Sequence, residues 1–195
     1  ETGASGAIRV NSRMDTNLPD VYAAGDCAET RHRLLDKNQW LPLGTTAHKQ
    51  GKVAGENAAG ANSEFAGSLG TQCVKIFDLV AARTGLKDSE AASEGFSPLS
   101  VDTEAFDHKA YYPGAKKIHL RITGDRITGK LLGGQIIGPY GAEIAKRIDI
   151  LATALHHFMR IKDLCDLDLS YTPPLSSPWD PVQMAAAAWI QANEQ

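Results

Sequence analysis

The chain of 195 residues carries 20 Lys and Arg against 23 Asp and Glu, and 43% of its residues are hydrophobic. These proportions are ordinary for a globular protein, and the net charge of -3 disfavours nucleic-acid binding, which needs a basic face. The longest apolar run, residues 184–190, is too short to cross a bilayer, so we expect neither a membrane segment nor a nucleic-acid partner.

The chain starts with ETGASGAIRV, which contains neither an initiator Met nor the basic and apolar regions of a secretory signal. We therefore expect a piece of a longer protein. The three cysteines, Cys27, Cys73 and Cys165, are odd in number, far apart and without a CxxC motif. That pattern favours reduced thiols, packed as small hydrophobic side chains in a cytoplasmic protein, over a disulfide framework.

In the N-terminal part, two short apolar segments surround a turn-rich loop. Residues 8–11 and 21–24 are predicted to be short strands on either side of SRMDTNLPD. The second segment ends at Gly25 and Asp26, which places a carboxylate at the tip of a strand. A carboxylate that is even partly buried there needs a hydrogen-bond partner, either from the protein or from a ligand.

A helix is predicted in LPLGTTAHKQGKVAGENAAG, after a polar loop. Thr45 or Thr46 is suited to cap its N-terminus, and the helix runs to about Ala59 with Gly60 as its stop. One face of this helix carries only small residues: Ala47, Gly51, Ala54 and Ala58. Small side chains allow close approach, either of a sheet or of a flat cofactor near the helix N-terminus.

The Gly-rich segment GANSEFAGSLG predicts a boundary between residues 1–66 and residues 67–195. Beyond it, TQCVKIF and FSPLSVDTE are typical of strands, and DSEAASEG of a short helix. The clearest hairpin is KKIHLRITGDRITGKLLGGQIIG, in which apolar and polar residues alternate before the turn residues Gly124 and Asp125.

Three helices are predicted in the C-terminal part. A short helix at residues 161–165 precedes a last helix from Val182 to about Asn193, which Asp180 can cap and which has Pro181 in its first turn. The sequence therefore predicts an α+β fold, with a small antiparallel sheet and helices packed on it. An apolar stripe within residues 141–159 predicts the longest helix: Ile144, Ile148, Leu151, Leu155 and Phe158.

Common catalytic and metal-binding patterns are absent from the sequence, which contains no GxGxxG loop and no recognisable Ser, His and Asp set. His156 and His157 are adjacent on a helix and point in different directions, so we expect no metal site there. The loop SYTPPLSSPWDP is unusually stiff, and Tyr171 and Trp179 give it two amphipathic rings. It is either the rim of an interface or ligand site, or a packed connector.

Three segments resemble the C-terminal portion of the flavoprotein pyridine nucleotide-disulfide oxidoreductases. TNLPDVYAAGDCAE is similar to the second FAD contact segment of that family, LPLGTTAHKQGKVAGENAAG to its flavin-proximal helix, and SYTPPLSSPWDPVQMAA to its C-terminal dimer loop. The chain most resembles the group of CoA-disulfide reductases, NADH oxidases and NADH peroxidases. The resemblance implies that residues 1–66 end an FAD-binding domain and that residues 67–195 form a dimerisation domain.

The resemblance also implies roles for individual residues. In such proteins the Asp that matches Asp26 accepts hydrogen bonds from the ribityl hydroxyls of FAD, and Gly25 lets the backbone approach the cofactor. The start of the helix would face the pyrimidine edge of the flavin, where its partial positive charge favours the reduced ring. The residues expected there are Leu43, Gly44, Thr45, Thr46 and Ala47.

The family further implies a homodimer in which the YTPPLSS loop completes the active site of the partner subunit. Tyrosines that match Tyr171 and one of Tyr111 and Tyr112, with Tyr112 favoured, approach the redox thiol of the other subunit. Each phenol can donate a hydrogen bond to a sulfur or to a peroxide oxygen.

The implied activity is hydride transfer from NAD(P)H through FAD to a disulfide, a peroxide or oxygen, and the two tyrosines favour CoA disulfide. No segment matches the glycine-rich FAD loop, the NAD(P)H domain or the redox cysteine of the family. We therefore expect the chain alone to lack flavin and turnover. The alternative is a homodimerisation module that has no cofactor or activity of its own.

Overall fold

The computed structural model describes residues 1–195, which form two compact units, Glu1–Gly70 and Thr71–Gln195. Together the units contain five helices and seven strands. The units divide after Gly70, which is the last residue of the Gly-rich segment in which the sequence predicts a boundary. None of the helices is long and apolar enough to span a membrane.

The first unit contains a small hairpin and one long helix. Strands β1 (Thr30–His32) and β2 (Lys37–Gln39) pair antiparallel, and helix α1 covers Gly44–Ala58. The sequence does not predict this hairpin, because its strands are polar and only 3 residues long. A small apolar core lies within the unit: Val10, Met14, Ala23, Ala28, Val53 and Phe65.

The prediction of strands at residues 8–11 and 21–24 is wrong. A short apolar run cannot indicate by itself whether a neighbouring strand is present, because strand pairing is non-local. The two segments make only isolated backbone bridges: Ile8 pairs with Thr2 and with Ala28, and Tyr22 pairs with Asp15.

Helix α1 begins differently from the prediction. Its N-cap is Leu43, which provides no side-chain hydrogen bond, and Thr45 and Thr46 lie inside the first turn. The side chain of Thr46 is buried, and its hydroxyl donates to Oγ of Ser68 at 3.1 Å. The prediction of a threonine cap is therefore wrong. The C-terminal end agrees with the prediction, since Gly60 follows the helix with a φ of 92°.

The second unit is a five-stranded antiparallel sheet against which helices pack, and this confirms the predicted α+β class. The order across the sheet is β3-β4-β7-β6-β5. The strands are β3 (Gln72–Ile76), β4 (Leu79–Gly85), β5 (Pro98–Phe106), β6 (Lys117–Asp125) and β7 (Leu131–Pro139). The helices are α2 (Asp88–Ser93), α3 (Ile144–His156), α4 (Ile161–Cys165) and α5 (Pro181–Asn193).

The apolar patterns of β6 and α3 are confirmed as buried faces. Phe158, which the sequence assigns to the stripe of α3, instead lies beyond the end of the helix with a φ of 53° and is 48% exposed. Helix α5 begins as predicted, with Asp180 as its N-cap and Pro181 in the first turn. The buried residues of the two faces are at most 3% exposed: Ile118, Leu120, Ile122, Ile144, Ile148, Leu151 and Leu155.

The predicted turn at Gly124 and Asp125 is wrong, because both residues belong to β6. The chain turns after Asp125, whose carboxylate accepts from the N–H and the hydroxyl of Thr128 at 3.1 and 2.6 Å. Gly124 is instead a site of close packing. A Cβ built on it would lie 2.2 Å from Cδ1 of Ile161 and 2.7 Å from the ring of Trp189.

Replacing Gly124 by alanine tests this packing. We expect Gly124→Ala to lower the free energy of unfolding by about 1–3 kcal/mol. The added methyl group must displace the Trp189 ring, whose N–H is fixed on the carbonyl of Leu99 at 2.8 Å. Urea denaturation followed by Trp fluorescence measures the change. The control is Gly55→Ala on α1, where a Cβ meets nothing within 4 Å and favours the helix. Equal stability of the two variants would contradict the packing argument.

Candidate functional site

The turn at Gly25 and Asp26 lies against the first turns of α1. Gly25 has a φ of 84°, and a Cβ built on it would lie 3.6 Å from Cβ of Ala47. A side chain at this position would be strained and would occupy the space between the turn and the helix. The structure therefore brings together the two segments of the first unit that the sequence singles out.

The side chain of Asp26 is exposed, and its carboxylate makes no hydrogen bond or ion pair within the chain. The backbone of the same residue is fixed, since its carbonyl accepts from Nε1 of Trp40 at 2.8 Å. The carboxylate is therefore available to accept hydrogen bonds from the hydroxyl groups of a ligand.

Gln50 on α1 holds the turn in place, and the sequence prediction missed it. Its side chain is fully buried, and its Oε1 accepts from the N–H of Gly25 at 2.9 Å. Its Nε2 donates to Oγ1 of Thr30 at 3.0 Å and to the carbonyl of Glu29 at 3.2 Å. The role of Gln50 was indicated only by the position of its amide, one helical turn after Thr46 and on the buried face of α1.

Helix α1 presents an open N-terminus. Leu43 has extended backbone angles and no side-chain acceptor, and the first turn contains no acidic residue. The N–H groups of Gly44, Thr45 and Thr46 therefore lack side-chain partners, and the positive end of the helix dipole is not neutralised there.

The small-residue face of α1 is open around Gly51. A Cβ built on Gly44 or Gly51 would meet no atom within 4 Å, whereas Ala54 on the same face is half-buried and packs against the apolar core of the unit. Packing within the chain is therefore not what keeps Gly51 small. An exposed carboxylate, free amide donors and an open flat flank beside Ala47 fit the ribityl chain and the ring of a flavin.

The second candidate site lies on two loops of the second unit. Tyr111 and Tyr112 belong to the loop of residues 107–116 between β5 and β6, and Tyr171 to the loop of residues 166–180 between α4 and α5. The loops are joined where the N–H of Lys109 donates to the carbonyl of Pro173 at 3.2 Å.

The phenol of Tyr111 lies close enough to Tyr171 to interact with it electrostatically. Partial burial and the nearby phenol of Tyr111 raise the pKa of Tyr171 above its ordinary value. The structure therefore places Tyr111, and not the favoured Tyr112, beside Tyr171. The ring of Tyr112 instead meets the ring of His108 edge-on, with 6.4 Å between the centroids.

Both tyrosine loops are bonded to Arg147, which forms a buried ion pair with Asp180; the sequence prediction also missed this pair. Arg147 on α3 is 0% exposed, and its Nη2 lies 3.2 Å from Oδ2 of Asp180, at the end of the Tyr171 loop. The same nitrogen donates to the carbonyl of Asp107, the first residue of the Tyr111 loop, at 2.5 Å. In the sequence, this ion pair was indicated by Arg147 itself, a charged residue next to the apolar stripe of a predicted helix.

No group of three or more His, Cys, Asp or Glu side chains is placed to hold a metal ion. All three cysteines are free, and Cys27 and Cys73 are exposed. Burial and the neighbouring carboxylate of Asp166 raise the pKa of Cys165, which disfavours its reactive thiolate.

Two family models match the chain. The model of the pyridine nucleotide-disulphide oxidoreductase dimerisation domain matches residues 71–181. A second model, described as pyridine nucleotide-disulphide oxidoreductase, matches residues 1–51. The chain therefore belongs to the pyridine nucleotide-disulphide oxidoreductase family, as its motifs predict. This family uses FAD and NAD(P)H.

The chain is 42% identical over 184 residues to the NAD(P)H sulfur oxidoreductase (CoA-dependent) of Pyrococcus furiosus, covering 94% of this chain and 41% of the relative. It is 35% identical over 180 residues to the coenzyme A disulfide reductase of Staphylococcus aureus, covering 92% and 40%. The solved NAD-dependent persulfide reductase from A. fulgidus has a TM-score of 0.94 at 36% identity, covering 100% of this chain and 36% of that one. The chain thus spans about two fifths of these curated relatives.

Gln50 allows a test of the turn geometry that needs no ligand. We expect Gln50→Leu to leave the partly buried N–H of Gly25 without an acceptor, and to lower the free energy of unfolding by about 1–3 kcal/mol. Amide hydrogen exchange measures the local effect, and the amide of Gly25 should exchange faster in the variant. Lys49→Ala, an exposed neighbour on the same helix, is the matched control. Unchanged protection of Gly25 would show that Gln50 does not hold the turn.

Proposed function

We propose that this chain is the C-terminal part of a flavoprotein that transfers a hydride from NAD(P)H through FAD to a disulfide, with CoA disulfide favoured over peroxide or oxygen. The observation that carries the proposal is the turn at Asp26, held by Gln50 against the open N-terminus of α1. Relatives named as a CoA-dependent sulfur oxidoreductase and a coenzyme A disulfide reductase support the acceptor class. The three free cysteines agree with a cytoplasmic location.

The residues of the first unit would bind and orient the cofactor. FAD, when bound, supplies the ring that accepts and donates the hydride. Asp26 accepts hydrogen bonds from ribityl hydroxyls, and Gly25 permits close approach of the backbone. The start of α1, over Leu43–Ala47, favours negative charge on the reduced ring, because the helix dipole is positive there.

The tyrosines of the second unit would act at the sulfur that leaves when the disulfide is reduced. The phenol of Tyr171 is protonated at neutral pH, as an ordinary tyrosine is, and it can donate a hydrogen bond to a developing thiolate. We assign Tyr111 as its partner because the two loops are joined through Lys109 and Pro173 and the phenol of Tyr111 lies near that of Tyr171. Tyr112, on the same loop, stays a candidate donor.

We further propose that the second unit forms a homodimer, in which Tyr171 would serve the active site of the partner subunit. The match of residues 71–181 to a dimerisation domain supports this. The same match favours a second candidate function, in which the chain by itself is a homodimerisation module without cofactor or activity. Its support is that the second unit contains its own complete sheet and buried apolar face.

In the full-length flavoprotein, Asp26→Ala tests the flavin contact. Loss of a charged acceptor is expected to weaken FAD binding by about 10–100-fold, which corresponds to about 1.5–3 kcal/mol. The flavin absorbance retained after dialysis and a fluorescence titration of the apoprotein measure the loss. Asp26→Asn keeps one acceptor oxygen and should lie between wild type and Asp26→Ala, whereas the exposed neighbour Cys27→Ser should bind FAD normally. Full flavin retention in Asp26→Ala would remove this role from Asp26.

Sedimentation equilibrium of the 195-residue chain tests the homodimer. We expect a dimer whose fraction rises with protein concentration, because association follows mass action. The absorbance spectrum of the same sample separates the two functions: a colourless dimer agrees with the module, and a yellow sample shows that the chain alone retains flavin. A strictly monomeric species at high concentration would contradict the dimer.

A further inference from the structure

We propose that Arg147 is a positioning residue for the phenols of Tyr111 and Tyr171, because its buried guanidinium joins the bases of the two loops that carry them. The inference rests on the proposed function, in which these phenols contact the acceptor. Arg147 itself does not contact the acceptor, since its side chain is fully buried on α3.

On the side of the Tyr171 loop, Arg147 pairs with Asp180. Its Nε and Nη2 lie 3.3 and 3.2 Å from the two carboxylate oxygens. The same carboxylate accepts from the hydroxyl of Ser176 at 2.9 Å and from the N–H of Val182 at 3.0 Å. One network therefore fixes the end of the loop and the start of α5.

On the side of the Tyr111 loop, Nη2 of Arg147 donates to the carbonyl of Asp107 at 2.5 Å. The N–H of Lys116 donates to the carboxylate of Asp107 at 2.8 Å, and the N–H of Asp107 donates to the carbonyl of Lys116 at 2.9 Å. The first and last residues of the loop are thus tied together, and the guanidinium holds this closed base. A further bond, from Nη1 to the carbonyl of Ala142 at 3.0 Å, fixes the segment before α3.

Stability alone does not explain the ion pair. Removing two charges from water is costly, and well-packed apolar residues of similar volume often support a fold equally well or better. A guanidinium offers one property that an apolar side chain lacks, namely five N–H donors in a rigid plane, which can bind acceptors on separate segments at fixed angles. The ion pair therefore fixes the geometry of the two loops, and with it the separation of the two phenols.

The test compares the wild-type chain with the double variant Arg147→Met/Asp180→Asn. Both charges are removed together, because Arg147→Met alone leaves a buried carboxylate unpaired and is expected to unfold the unit. Asparagine at position 180 keeps a good N-cap for α5. Photochemical dityrosine formation, mapped by mass spectrometry, reports how often the phenols of Tyr111 and Tyr171 meet, and Tyr111→Phe gives the background.

We expect the cross-link between Tyr111 and Tyr171 to fall several-fold in the folded double variant. In an NMR titration, the pKa of Tyr171 should move down towards the ordinary phenol range, because Tyr111 no longer helps to raise it. Arg147→Lys keeps the charge but not the planar fork, so it should give an intermediate yield and provides the decisive comparison if the double variant does not fold. A wild-type cross-link yield in either folded variant would overturn the positioning role.

Failure of the proposed function would give a different result. Full disulfide reductase activity in the Tyr171→Phe flavoprotein would remove the catalytic role of the phenol and would leave the cross-link result unchanged. A retained cross-link in the folded Arg147 variants, together with lost activity in Tyr171→Phe, would overturn the positioning role and support the catalytic one.

Discussion

A buried positive charge constrains the second unit more than any other single group. The guanidinium of Arg147 has no access to water, so its donors must find acceptors inside the protein. Those acceptors are the carboxylate that caps α5 and two carbonyls on separate loops. This requirement fixes α3, α5 and both tyrosine loops relative to one another, which apolar packing of α3 would not do by itself.

The first unit solves a similar problem with a neutral group. The amide of Gln50 has both a donor and an acceptor, and it uses them on the backbone of the turn and on the strand that follows it. A buried amide is costly if only one of its ends is satisfied, so the turn and the strand must both be in place. In each unit, therefore, a polar residue on a helix fixes an irregular segment that regular hydrogen bonding cannot hold.

Elements with periodic burial, such as β6 and α3, could be predicted from the sequence, because their pattern depends on neighbouring residues alone. Predictions failed where the deciding partner is distant. Whether residues 8–11 form a strand depends on pairing with other segments, such as the one at Ala28, and the need for Gly124 depends on Trp189. The candidate flavin contacts lie in two local motifs, which the sequence by itself singles out, whereas the roles of Gln50 and Arg147 depend on acceptors in other segments.

In the proposed flavin site, the order of the first turn of α1 would depend on whether the site is occupied. A bound molecule with acceptor atoms would replace water at the amides of this turn, so fraying of the turn and binding would be linked equilibria. The free energy by which a bound molecule steadies the helix start equals the free energy by which a steady helix start favours binding. A substitution that only frays this turn would therefore weaken binding without removing any atom that contacts the bound molecule.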